Sequence, residues 1–144
     1  MQFLSEEWLE ERYRLAWTAP PSLSDVTIRI QHVVEGGPFG TVHYYDDVVD
    51  GRLARSGLGE IDDPHVTITN QWYDELGVVW GQVDPADILI AGRVTVDGDQ
   101  RLLLLIVPAL ISPIAGQLAT ELAAKTTDEV SQAAMAAPAV ASDA

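Results

Sequence analysis

The stretch from Asp84 to Leu105, DPADILIAGRVTVDGDQRLLLL, constrains this chain more than any other. Asp84 can cap a short helix with Pro85 at its first position, where a missing N–H costs nothing. Gly92 stops that helix, Arg93–Asp97 reads as a strand, and Asp97-Gly98 as a tight turn. Leu102, Leu103, Leu104 and Leu105 then open a segment apolar on every side. Almost none of this carries polar chemistry. Such a stretch shapes apolar space rather than an acid–base site.

Upstream, Phe3–Trp17 reads as a helix, with Ser5 as N-cap, Glu6 and Glu7 at its positive end, and Leu4, Trp8, Leu9 and Leu15 as its apolar side. Pro20 and Pro21 end it. Val26–Glu35 alternates, with Val26, Ile28, Ile30, His32 and Val34 on one face. The glycine-rich loop Gly36–Gly40 leads to a second strand, Thr41–Val49. Asp50-Gly51 is a strong hairpin signal before a third strand, Arg52–Glu60. Val66–Asn70 is a fourth strand, Gln71–Trp80 a helix closed by Gly81, and Gln100–Pro108 another helix. Ile111–Lys125 is amphipathic through Ile114, Leu118 and Leu122. The order predicts an α+β fold, with a five-stranded, mostly antiparallel sheet covered by helices on one face (α-β-β-β-crossover-β-α-α-β-α). Residues 1–125 form one domain on this reading. Residues 126–144, rich in alanine, are expected to be a flexible tail.

Composition removes whole classes of function. The chain has 144 residues, no cysteine, and 22 acidic against 8 basic residues, a net charge of −14. Disulfides, thiolate catalysis and cysteine zinc sites are excluded. No basic stripe exists to meet phosphates, so nucleic acid is not an expected partner. The longest apolar run, Leu102–Leu110, is too short to span a bilayer, and no signal peptide is visible. A cytoplasmic protein is expected.

Catalytic and metal candidates fare poorly. His43 lies beside Tyr44, Tyr45, Asp46 and Asp47, but alternation sends neighbours to opposite faces, and no second histidine sits at ligand spacing. His32 falls on the apolar face of its strand and reads as a hydrogen-bonded core histidine or a polar anchor. His65 receives no role. Ser56 sits in ARSGLG, not in a nucleophile elbow, and GLGEID is half a dinucleotide fingerprint. The pairs Asp46-Asp47 and Asp62-Asp63 read as solvated turns rather than catalytic carboxylates. No catalytic residue, metal or cofactor is expected. The apolar residues remain: Trp72, Leu76, Val79 and Trp80 at helical spacing, the consecutive Ile88, Leu89 and Ile90, and Leu102, Leu103, Leu105 and Ile106. A helix apolar all round is either doubly buried or walls a cavity, and pattern alone favours a packed core.

Spaced motifs carry a family resemblance. DDPHVTIT (Asp62–Thr69), QWYDELGVVWGQVDP (Gln71–Pro85), ADILIAGRVTVDGD (Ala86–Asp99) and the meander VVEGGPFGTVHYYDDVVDGRLARSGLGE (Val33–Glu60) resemble the sterol carrier protein 2 family. The resemblance spans about Phe3–Leu110. It implies an apolar tunnel between sheet and helices for a sterol, a fatty acid, an acyl-CoA or a similar hydrophobic molecule, and no catalytic constellation. The tunnel lining would fall on Trp72, Leu76, Val79, Trp80, Ile88, Leu89, Ile90, Leu102, Leu103, Leu105 and Ile106, with His32, Gln100 and Arg101 as a polar rim. Two departures stand out. Gln100-Arg101-Leu102 replaces a methionine–glycine step common in relatives, and a basic surface for acidic membranes is missing. With no peroxisomal ending, the composition suggests a bacterial carrier. The rival readings are an isomerase- or cyclase-like enzyme using His32, Tyr44 and Asp46 in the same cavity, and a homodimerisation module built on Ile111–Lys125.

Overall fold

A computed structural model of the chain describes residues 1–18, 26–102, 104 and 113–136. Helix α1 (Glu6–Thr18) leads into strands β1 (Ile28–Gly37), β2 (Gly40–Val49) and β3 (Arg52–Leu58). Strand β4 (Val66–Gln71), helices α2 (Trp72–Val79) and α3 (Pro85–Ile90), and strand β5 (Thr95–Gly98) follow. Helices α4 (Pro113–Ala124) and α5 (Glu129–Ala136) complete the described order. The sheet runs β3-β2-β1-β4-β5. Every pairing is antiparallel except the parallel β1–β4 pair, so the expected mostly antiparallel five-stranded sheet is what forms.

Local chemistry accounts for the ends of these elements. The Ser5 hydroxyl caps α1 by accepting the Trp8 N–H at 3.1 Å. Asp50 and Gly51 turn the β2–β3 hairpin with φ of 50° and 78°, the left-handed pair that a tight hairpin demands. The Gly36–Gly40 loop is shorter than expected, because β1 runs on to Gly37 and β2 begins at Gly40. Gly37 is bare where the Trp72 indole presses on the chain, and a methyl group there would clash with the ring.

The crossover from β3 to β4 is pinned on the outer face of the sheet. Gln31 is buried; its side-chain oxygen accepts the Ile61 N–H at 2.8 Å, and its amide donates to the carbonyls of Tyr44 and Gly59. His65, which has no role on the sequence reading, accepts the Arg29 backbone N–H on Nδ1 at 2.8 Å. Its own backbone N–H donates to the Arg29 carbonyl at 2.9 Å. These bonds set β4 parallel beside β1.

The core lies on the opposite, inner face, in two apolar clusters. One joins Phe3, Leu4, Trp8, Leu9, Val34, Tyr44, Trp72 and Leu76, and binds α1 and α2 to the sheet. The other joins Ile28, Ile30 and Val66, with Val48, Ile68, Val96 and Leu102 around them.

The expected tail beyond residue 125 needs correction over residues 126–136. Thr126, Asp128 and Ser131 are buried, and Glu129–Ala136 is helical. Three indoles hold the segment: Trp8 Nε1 donates to the Thr126 hydroxyl, Trp80 Nε1 to the Thr126 carbonyl and Trp72 Nε1 to the Asp128 carboxylate. The alanines suggested a solvated tail; buried polar groups anchor it instead. Residues 137–144 lie outside the described residues.

Candidate functional site

A belt of polar side chains separates the two apolar clusters on the inner face. Pairing sets Ile30 opposite Asp46 and Asp46 opposite Ser56, and sets His32 opposite Tyr44. Alternation therefore brings His32, Tyr44, Asp46 and Ser56 to one side of the sheet. From α1, Arg12 reaches down, one turn beyond Trp8. Its two terminal nitrogens donate to the two Asp46 oxygens, each at 2.7 Å, the forked geometry that guanidinium and carboxylate share. The Ser56 hydroxyl donates to Asp46 Oδ1 at 2.9 Å, and His32 Nε2 donates to Oδ2 at 3.0 Å. Burial would raise the Asp46 carboxyl, but the Arg12 charge and the bonds from Arg12 and His32 outweigh it and hold it far below the carboxylate range. Asp46 is 5 % exposed, so its reading as a solvated turn residue is corrected. Its alternation with the apolar face was the available signal.

The belt continues towards α2. The His32 ring stacks on Tyr44 with centroids 4.2 Å apart. The Tyr44 hydroxyl donates to Glu75 Oε1 at 2.7 Å, and Asn70 Nδ2 donates to Glu75 Oε2 at 3.3 Å. Burial, then the Glu75 charge, push the Tyr44 phenol well above its ordinary value, so it stays protonated. His32 and Ser56 both bond to Asp46 rather than to each other, which is not a nucleophile–base arrangement. Asp46 is committed to Arg12, and that removes it as a free base. Among the described residues no group of three or more acidic or histidine side chains gathers to hold a metal.

The sequence-predicted lining residues do not all meet. Trp72 and Leu76 are buried in the first cluster, with Val79 and Trp80 packed against it. Trp72 is wholly enclosed, edge-on to Phe3 and Phe39, with centroids at 4.8 Å and 5.8 Å. Ile88 is buried, but Ile90 on the same short helix is 84 % exposed and does not face the interior. Leu102 packs against the second cluster. The side chain of Leu89 and the whole of Leu103, Leu105 and Ile106 lie outside the described residues. Of the predicted rim, His32 sits inside the belt, while Gln100 and Arg101 are exposed where the chain turns into the segment after β5.

An apolar cleft opens between α1, α4 and β3. Leu15, Ala16, Leu53, Leu118, Ala119 and Leu122 line it with Arg12, and it encloses about 260 Å³. Sequence reading treated Leu15, Leu118 and Leu122 as ordinary helix faces. Nothing in their spacing tells that α1 and α4 stand apart at this point. Arg12 joins cleft to belt: its guanidinium bonds Asp46 and stands 5.8 Å from the Tyr44 ring centroid. A second hollow, of about 440 Å³, lies on the outer face among Arg29, Tyr45, Asp47, Arg55, Glu60, Ile61, Asp62 and Asp63. Its walls are polar and charged.

No protein-family model matches the sequence, and no curated protein does. Solved structures do match the fold. A conserved hypothetical protein of Thermus thermophilus, described as possibly a sterol carrier protein, superposes with a TM-score of 0.64 at 17 % identity, over 85 % of this chain and 91 % of its own. A sterol carrier protein 2 crystal structure gives 0.62 at 16 % identity, over 84 % and 97 %. The palmitated sterol carrier protein 2-like 2 of Aedes aegypti gives 0.58 at 18 % identity, over 72 % and 89 %. The resemblance read from the spaced motifs is thus met in three dimensions, and the chain has the sterol carrier protein 2 fold.

Proposed function

We propose that this chain binds a hydrophobic small molecule between its helical layer and the inner face of its sheet, as a carrier or sequestering domain. The apolar cleft between α1, α4 and β3 carries this reading, because it gives such a molecule a way to apolar surface. The fold supports it, since one structure that shares it is palmitated. Sterols, fatty acids and acyl-CoA are the candidate ligand classes. Binding rests on area removed from water: about 300 Å² of apolar ligand surface is worth roughly 7 kcal/mol before the costs of association. The residues around Trp72–Trp80, Ile88 and Leu102 form the apolar surroundings, and the polar belt orients the ligand. We place the domain in the cytoplasm, a reading that the acidic, cysteine-free composition supports.

Native mass spectrometry of the purified protein after exposure to a lipid extract tests this. A bound lipid of defined mass is expected, with weaker retention when Leu118→Arg places a charge in the cleft. Absence of any lipid adduct, together with no uptake of a fluorescent fatty acid, would sink the proposal.

A further inference from the structure

The hollow on the outer face lies across the sheet from the cleft and the belt, and it shares no residue with either. Pairing sets Arg29 opposite Asp47 and Asp47 opposite Arg55, one row across β1, β2 and β3. Alternation turns that row outward, away from Asp46. Tyr45 stands in the next row opposite Gly57, whose bare backbone makes room for the phenol. A methyl group on Gly57 would come within 3.2 Å of the Tyr45 hydroxyl. Glu60, Ile61, Asp62 and Asp63 close the hollow from the crossover. Its volume of about 440 Å³ falls within the roughly 300–1,000 Å³ of small-molecule sites.

The wall is fixed in place by the chain itself. Gln31 accepts the Ile61 N–H, His65 accepts the Arg29 backbone N–H, and Arg29 Nε donates to the Asp63 carbonyl at 2.8 Å. These bonds hold Asp63 at a φ of 49°, a conformation that residues other than glycine rarely adopt. A wall already ordered loses little freedom when a ligand arrives.

The charges in it are unevenly spent. Arg55 puts two nitrogens onto Asp47 Oδ2, and those two residues answer each other. Arg29 uses only Nε; its two terminal nitrogens make no hydrogen bond among the described residues. The Asp62 and Asp63 carboxylates accept none among the described residues, and both residues are exposed. The hollow thus holds unused charge of both signs. An anion alone would face four carboxylates in a chain of net charge −14. A cation alone would face the Arg29 charge with nothing to answer it. A zwitterion answers both, and the Tyr45 ring with the buried Ile61 gives its body an apolar bed.

We infer that the outer hollow binds an α-amino acid with an apolar or aromatic side chain. Its carboxylate meets the terminal nitrogens of Arg29, the forked geometry that guanidinium and carboxylate share, and its ammonium faces Asp62 and Asp63. This site is separate from the hydrophobic-ligand function proposed above and stands without it.

Titration of the full chain at neutral pH and low salt with phenylalanine, phenethylamine and 3-phenylpropanoate, followed by amide chemical shifts, tests it. The three share an aromatic body and differ in charge: zwitterion, cation and anion. Phenylalanine is expected to bind about fivefold more tightly than phenethylamine, the weight of one partly exposed ion pair, and 3-phenylpropanoate most weakly. The shifts should gather on Arg29, Tyr45, Arg55 and residues 60–63. Arg29→Gln should bring phenylalanine to the affinity of phenethylamine and leave phenethylamine no weaker. Equal binding of phenethylamine and phenylalanine by the wild-type chain overturns the inference, because an acidic surface gathering a cation then explains both. So does an absence of shifts at residues 60–63 with every probe. Either result is read on the wild-type chain, whether or not the variant folds, and leaves the hydrophobic-ligand function standing.

Discussion

Asp46 shows how one residue decides what its neighbourhood can do. It draws together Arg12, 34 positions earlier, with His32 and Ser56 from the flanking strands. Asp46→Ala strips Arg12 of its counter-charge and leaves His32 and Ser56 without their acceptor. Breaking a buried pair costs about 3–5 kcal/mol. Arg12 keeps 27 % of its side chain exposed, so water recovers part of this, and we expect a loss of about 2–3 kcal/mol. The midpoint of urea unfolding measures it; a shift under about 0.5 kcal/mol would contradict the buried pair. The pH dependence follows from the same group. Its pKa is lower folded than unfolded, so its contribution is complete above the unfolded value near 4 and drains away as pH falls towards the folded one. Wild type should therefore lose stability below about pH 4 more steeply than Asp46→Ala. Strand alternation makes the burial of Asp46 readable in the sequence. Its partner is not readable, because no local pattern relates α1 to β2.

At the scale of elements, what local chemistry governs was legible and what distant bonds govern was not. The hairpin at Asp50-Gly51, the Gly81 and Gly92 stops and the alternation of β1 follow from residues within a few positions of each other. The parallel β1–β4 pair depends on Gln31, Arg29 and His65 meeting across the crossover, which no window of sequence displays. Helix α5 was missed for the same reason. Its alanine-rich sequence reads as a tail, and it is held by Asp128, which bonds Trp72 Nε1 and Gln2 Nε2, each at 2.8 Å. Burial would raise the Asp128 carboxyl, but bonds from Ser131, Gln2 and Trp72 hold it below its ordinary value. Asp128→Ala should cost about 2–3 kcal/mol, since it orphans a buried indole N–H and an amide donor together. Amide exchange tests the coupling: protection across both α5 and α2 should fall in that variant. Undisturbed protection in α2 would show that Trp72 does not depend on the segment. The candidate site was legible only in part. Helical spacing marks Trp72 and Leu76, which the structure buries in the first cluster, and the cleft depends on the distance between α1 and α4, a tertiary quantity.

The whole molecule presents a negative surface, and its few cations are largely spent inside it. Arg12 pairs with Asp46, Arg14 and Lys125 with Glu11, Arg55 with Asp47, and Arg93 with Asp74. Arg29 is turned onto the Asp63 carbonyl, and Arg52 lies over the Trp17 ring. At a net charge of −14, little is left to meet an anionic bilayer. If the chain carries a lipid as proposed, it can approach an acidic lipid surface only against repulsion. We expect transfer of a bound fluorescent lipid to be slower into phosphatidylglycerol vesicles than into phosphatidylcholine vesicles at low salt. The gap should close as salt rises, because the screening length contracts from about 30 Å at 0.01 M to about 3 Å at 1 M. Stopped-flow transfer assays at a series of salt concentrations read this directly. Release that occurs through the aqueous phase, with no protein–membrane encounter, gives a rate indifferent to both headgroup and salt. Faster transfer into the acidic vesicles would mean that a local basic face overrides the global charge, and the pairings above leave no such face among the described residues.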